Sequence, residues 1–186
     1  VCAQYLISKI DIEPEYCDFY VGREMAPRGY IWVFPKGADI ANVGVGIGGT
    51  ISGKRGKLAI DYLNEFVKRK FPRGKIIGQV VGAVPVGDSL PQLVGDGILI
   101  VGDAAHHSDP ISGGGIANAM YSGMFAADTA VDCLKKGDVS AKALSIYEGR
   151  WDREIGKHFK RICRIRDEAL KFSDEMFDRC ATVLSR

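Results

Sequence analysis

Apolar residues change their spacing twice along the chain, and each change marks an element. Between residues 1 and 53 the β-branched and aromatic residues fall into short runs separated by turn formers. Tyr30-Ile-Trp-Val-Phe34 and Asn42-Val-Gly-Val-Gly46 are two of these runs, and they predict strands. At 57–70 the period becomes helical, with Leu58, Tyr62, Leu63, Phe66 and Val67 on one side, and Pro72 stops the helix. Strands are predicted again at 75–86 and 97–102. Residues 114–136 are rich in Ala and Met and read as a helix that ends at Gly137. Residues 140–185 read as helical throughout. Trp151, Ile155, Phe159, Ile162 and Leu170 form the buried side, and Lys157, Lys160, Arg161, Arg164 and Arg166 lie away from it.

Sheet first and helices last is the order of an α+β fold, here a mainly antiparallel sheet followed by a helical C-terminal part. Three regions are expected: a β-rich part over 1–96 with one helix near 57–70, a strand–loop–helix over 97–136, and C-terminal helices over 137–186.

Composition narrows the function classes. An apolar content of 46% over 186 residues supplies a sizeable core. A net charge of +2 gives no electrostatic footprint for nucleic acid. No apolar run reaches the ~20 residues that cross a bilayer, and no secretory leader is visible. The five cysteines (Cys2, Cys17, Cys133, Cys163 and Cys180) form no C-x-x-C pair, so they read as reduced packing residues of a cytoplasmic protein. The chain opens at Val1 directly in strand-like sequence, which we read as a piece of a longer polypeptide.

The chemistry concentrates in Gly97–Ile116. A buried strand is expected to run out into Gly102-Asp103, then into small residues and the triple glycine Gly113, Gly114 and Gly115 that opens a helix. Asp103 at the strand end suits a ribityl hydroxyl donor. Gly102, Ala104 and Ala105 let a ligand approach the backbone. Pro110 fixes a turn ahead of Ser112. The three glycines offer N–H groups at a helix start, where the developing negative charge of a reduced flavin is stabilised by about 0.3–1 kcal/mol, rising to about 2 when partly buried. The neighbouring His106 and His107 lack further ligands at metal spacing, so no metal is assigned, and either histidine is a candidate proton donor.

Two other glycine strings are decoys. Gly44-Val-Gly46-Ile-Gly48-Gly49 fits G-x-G-x-x-G, but no apolar helix follows it. Gly48–Arg55 nearly fits a P-loop, but Arg55 stands where a hydroxyl would ligate Mg²⁺. The basic cluster Lys54, Arg55 and Lys57 suits either a solvated loop or a lipid headgroup phosphate.

The stretch from Gly102-Asp103 to Gly115 resembles the second flavin-binding motif of para-hydroxybenzoate-hydroxylase-like flavoproteins. Tyr30-Ile-Trp32-Val-Phe34-Pro35, followed after eight residues by Gly44-Val-Gly46, resembles the Y-x-W-x-F-P…G-x-G signature of geranylgeranyl reductases. Gly82-Ala-Val-Pro85 is similar to that family's approach to its flavin loop. The resemblance covers essentially the whole chain and implies the C-terminal portion of a two-domain FAD-binding flavoprotein whose N-terminal dinucleotide-binding half is missing here.

Family members saturate isolated double bonds of polyprenyl chains with reduced FAD. By resemblance, Gly102, Asp103, Pro110, Gly113, Gly114 and Gly115 contact the cofactor. Tyr30, Trp32, Phe34, Pro35, Gly44 and Gly46 belong to the substrate side. Tyr30, Trp32 and Phe34 alternate along one strand, an aromatic face that suits a prenyl tunnel and equally suits a core. The resemblance identifies no catalytic residue.

The function expected is reduction of geranylgeranyl or polyprenyl chains of lipids, or of chlorophyll-type side chains. A related FAD-dependent monooxygenase or halogenase, and a non-catalytic apolar-ligand module, are the alternatives. FAD is expected in the longer parent and not in this piece, which is expected to be inactive alone and to self-associate. Its expected partners are a polyprenyl lipid or pigment and the missing half, with peripheral membrane contact and no nucleic acid.

Overall fold

The computed structural model describes residues 1–53 and 56–184, and the chain divides into two compact units. Unit 1 comprises Val1–Ala83 together with the C-terminal segment from Lys171, and unit 2 comprises Val84–Leu170.

Unit 1 is a five-stranded antiparallel sheet backed by a helix. The strands are β1 (Cys2–Ser8), β2 (Asp18–Val21), β3 (Tyr30–Pro35), β4 (Ile40–Gly46) and β5 (Lys75–Gly82), in the spatial order β2-β3-β4-β1-β5. The period of two decides which residues enter the core. Ala3, Tyr5 and Ile7 of β1, Ile31 and Val33 of β3, and Ala41, Val43 and Val45 of β4 are buried. Helix α1 (Ala59–Lys70) covers them with Ala59, Tyr62, Leu63, Phe66 and Val67. Full burial of a side chain such as Leu63 contributes about 1.5–3 kcal/mol.

Leu58 corrects the expected helical stripe. It precedes the helix and is exposed, because the Asp61 carboxylate accepts from its N–H at 2.7 Å and fixes the helix start one residue later. The strand expected at 75–86 stops at Gly82, three residues before Pro85, which has no N–H for a ladder.

The C-terminal helix α6 (Asp174–Leu184) belongs to unit 1. Arg23 fastens its approach. Arg23 N–H donates to Asp174 Oδ1 at 2.8 Å, Nε to Phe172 O at 2.7 Å, and Nη2 to Lys171 O at 2.8 Å.

Unit 2 is largely helical. Its only sheet among the described residues is a short hairpin, β6 (Val94–Gly95) with β7 (Ile98–Leu99), turned by Gly97 at φ +70°. The buried strand expected over 97–102 is therefore two residues of ladder with Ile98 exposed. The backbone beyond it stays extended to Val101, held because Ile100 N–H donates to Leu93 O at 2.8 Å and Ile100 O accepts from the Tyr147 hydroxyl at 2.8 Å. Burial pushes that phenol up to about 12.

Helix α2 (Ile116–Lys136) ends at Gly137, whose φ of +72° closes the helix in the left-handed region. Helices α3 (Ala141–Leu144), α4 (Ile146–Trp151) and α5 (Lys157–Ala169) follow, with a π-helical segment at Asp152–Gly156 joining the last two. Phe125, Ala126, Leu144, Tyr147, Trp151 and Phe159 form the core with Leu93 and Val94. Ile155 packs against this core part-buried, and Ile162 and Leu170 are half-buried, a looser stripe than the spacing predicts. No helix of the described residues is long and apolar enough to cross a membrane.

Candidate functional site

The loop between Val101 and Ile116 in unit 2 is built from its own side chains. Gly102–Ala105 forms a 3₁₀ turn that starts with Gly102 at φ +60°. A Cβ there would also meet Ala119 Cβ at 3.2 Å. Gly102 N–H donates to Ser122 Oγ at 3.1 Å, and that hydroxyl donates to Ala119 O, so the turn is bonded to the first turns of α2.

Asp103 is exposed, and its Oδ1 accepts from Ser108 Oγ at 2.6 Å. A Cβ on Gly115 would stand 2.8 Å from the same oxygen. The carboxylate thus sits against the N-cap of α2, and that helix start has no side-chain cap. An uncapped helix start carries partial positive charge on its first-turn N–H groups, and here a carboxylate lies beside it.

The loop from 109 to 114 closes on itself. Asp109 N–H donates to Gly114 O at 2.8 Å and Gly113 N–H donates to Asp109 O at 2.9 Å. Asp109 Oδ1 accepts from Ile111 N, Ser112 N and Ser112 Oγ, and Gly114 N donates to Ser112 Oγ. Pro110 is fully buried, and Gly113 has φ +70°. Two of the three glycine N–H groups expected to face a ligand are therefore used inside the loop, which leaves Gly115 and the first turn of α2 for that task. Ala105, expected to admit a close ligand, is buried in the core.

His107 is buried and points into the core of unit 2. Its ring stacks on Trp151 with centroids 3.6 Å apart at 17°, and neither ring nitrogen has a partner among the described residues. Burial, with His106 adding to it, lowers its pKa to about 4, so it is neutral at neutral pH. His106 takes a left-handed φ of 57° and caps the 3₁₀ turn. Among the described residues no group of three His, Cys, Asp or Glu side chains converges to hold a metal.

In unit 1 the residues expected on the substrate side, Pro35 excepted, lie on the sheet face opposite the core. Tyr30, Trp32 and Phe34 are half-buried there, while Ile31 and Val33 between them enter the core. The three rings therefore lie outside the core of unit 1. The Tyr30 and Trp32 rings lie 5.8 Å apart edge to face, and Trp32 and Phe34 stack at 6.1 Å. Phe19 of β2 adds a fourth ring, 5.5 Å from both Tyr30 and Phe34. Sequence reasoning missed Phe19 because β2 is only four residues long.

Gly44 and Gly46 lie opposite Trp32 and Tyr30 in β4. A Cβ on Gly44 would come within 2.2 Å of Trp32 Cζ2, so the indole rests on bare backbone. Gly44 lies inside β4 and Gly46 ends it, and no helix follows directly, which disposes of the dinucleotide fingerprint. Pro35 ends β3. Lys57 pairs with Glu65 at 2.6 Å, and Lys54 and Arg55, with the end of the P-loop-like string, lie outside the described residues.

Residues 1–84 match the model of the geranylgeranyl reductase catalytic domain. Over 183 residues the chain is 50% identical to a digeranylgeranylglycerophospholipid reductase of Methanocella arvoryzae, which covers 98% of the chain and 46% of that relative. The corresponding reductase of Methanosarcina acetivorans is 47% identical over 184 residues, 98% of the chain and 45% of the relative. The crystal structure of a geranylgeranyl bacteriochlorophyll reductase-like protein from Thermoplasma acidophilum superposes with a TM-score of 0.89 at 36% identity, over 96% of this chain and 45% of that one. A flavin-dependent brominase shares the fold alone, with a TM-score of 0.60 at 18% identity. The chain spans about half the length of the curated relatives it matches. Along nearly all of its own length, the chain is thus similar to digeranylgeranylglycerophospholipid reductases.

Proposed function

We propose that this chain is the C-terminal, substrate-side portion of an FAD-dependent reductase that saturates the isolated double bonds of geranylgeranyl chains on glycerophospholipids. The observation that carries the reading is the Asp103 carboxylate set against the uncapped, glycine-started α2. The residues present fit a flavin. Gly115 leaves the room a Cβ would fill, Asp103 would accept from a ribityl hydroxyl, and the first turn of α2 would meet the pyrimidine edge. Gly102, Pro110, Gly113 and Gly114 shape the loop that holds these groups. A bound, reduced flavin would supply the hydride for one alkene carbon, and a proton would complete the reduction at the other.

The aromatic face of unit 1 supplies the apolar wall. An isolated alkene has no carbonyl to polarise, so positioning and a dry surface must do most of the work. Tyr30, Trp32 and Phe34 present ring area without competing hydrogen-bond groups at their faces, and Gly44 lets the indole lie close to the sheet. The lipid substrate is supported by the names of relatives at 45–50% identity. Peripheral contact with a membrane follows from such a substrate.

The test uses the full-length protein, reduced with dithionite and given digeranylgeranyl glycerophospholipid in detergent. Mass spectrometry should show one added hydrogen pair per double bond. A yellow protein that leaves every chain unsaturated would defeat the reading.

A further inference from the structure

Reading across the sheet of unit 1 at one register position gives Phe19, Trp32, Gly44, Gln4 and Val80, each directly opposite the next. Four of these five are apolar or lack a side chain, and Gln4 is the exception. An amide among apolar neighbours carries a desolvation cost unless it is paired. Gln4 is paired, because its Oε1 accepts from Trp32 Nε1 at 3.0 Å.

That bond has an uncommon reach. It runs from β3 to β1 across the intervening strand β4, directly over Gly44. Gly44 itself is buried, with the indole lying where its Cβ would be. The ring is therefore fixed at both ends: bare backbone lets it lie down over β4, and the Gln4 carbonyl holds its outer edge. Without an acceptor at Nε1 the χ2 torsion of a half-buried tryptophan is broad, and the ring has more than one orientation open to it.

We infer that Gln4 is a positioning residue for the polyprenyl chain, acting through Trp32 and touching no reacting atom. An alkene gives a protein no polar handle, so its place depends on the shape of the wall behind it. A wall ring held in one orientation gives one place for the double bond, and a mobile ring gives several. The inference rests on the reading of this sheet face as the prenyl wall.

The test replaces Gln4 in the full-length protein. Gln4→Leu removes the acceptor at similar volume, and Gln4→Met does so as a second variant if the first folds poorly. Gln4→Glu keeps an acceptor oxygen. Loss of one net hydrogen bond should raise the KM for a digeranylgeranyl lipid by about twofold to tenfold in the Leu and Met variants, with kcat changing less. Glu should restore the wild-type KM.

The two tryptophans give two indole N–H signals in a ¹⁵N spectrum, and Trp32→Phe identifies which belongs to Trp32. That signal should move and exchange faster in Leu and Met and return in Glu. If Leu and Met match wild type in KM and in the indole signal, the inference is overturned while the prenyl-wall reading stands. If wild type reduces no prenyl chain, the functional reading fails and the substrate role of Gln4 fails with it.

Discussion

Asp103 Oδ1 lies 2.8 Å from the position a Cβ on Gly115 would occupy, closer than real Cβ contacts come. The strand-end acid and the helix-start glycine are thus two parts of one surface. Gly115→Ala must push the carboxylate aside, and Asp103→Ala removes it. Each should weaken flavin retention by the full-length protein roughly tenfold to a hundredfold, the range for one hydrogen bond to a charged group. Flavin absorbance after dialysis reads this out, and unchanged retention in both variants would refute the site.

Gly44→Ala places a methyl where the Trp32 indole now lies. The ring must leave its seat, and such overpacking costs about 1–3 kcal/mol. Urea unfolding should show a lower midpoint, whereas Gly46→Ala, whose Cβ would meet Cys2 Sγ at 3.5 Å, should be milder. Equal effects would mean that the indole is not seated as described.

His107 links unit 2 stability to pH. Its folded pKa of about 4 lies below the ordinary 6.5, so between those values the unfolded chain binds the extra proton. This contribution to stability is complete above pH 6.5 and falls as pH drops towards 4. Its two unpartnered nitrogens also carry a desolvation cost. His107→Phe should keep the stack on Trp151, flatten the pH dependence of the urea midpoint over that window, and leave stability equal or higher at neutral pH. A wild-type midpoint that stays flat over the window would contradict the buried, neutral assignment.

Expressed alone, the chain should be colourless and should self-associate. Helix α2 shows Ile116 82%, Met120 72% and Leu134 68% exposed, with Met124 and Val131 exposed on the same helix. Patches of this kind tend to be covered by another surface. Light scattering should report species larger than a monomer, and Met120→Glu should shift them towards monomer. A yellow, strictly monomeric chain would overturn both expectations.

The period of two along β3 and of 3.6 along α1 was enough to read these elements from sequence, because each buries one regular stripe. The π-helical segment at Asp152–Gly156 left no such signal. Asp103 and the glycines are legible as a motif through their order and spacing alone. Their bonding was not legible. Ser108 and Ser122 act through contacts five and twenty residues away, which no local pattern encodes. Asp109 and Ser112 were nearer to hand, since an Asp followed three residues later by Ser favours a self-bonded turn. Gln4 carries no sequence signal at all, because its meaning arises only when three strands bring it beside Trp32.

Arg23 joins a loop near the start of the chain to residues 171–174 near its close. Unit 1 is therefore discontinuous, with all of unit 2 inserted between its last strand and its closing helix. During synthesis the sheet emerges first and must wait, its final segment absent, until the inserted unit has left the ribosome. A gene truncated just after Ala83 would encode every strand of the sheet and still leave Arg23 with nothing to fasten.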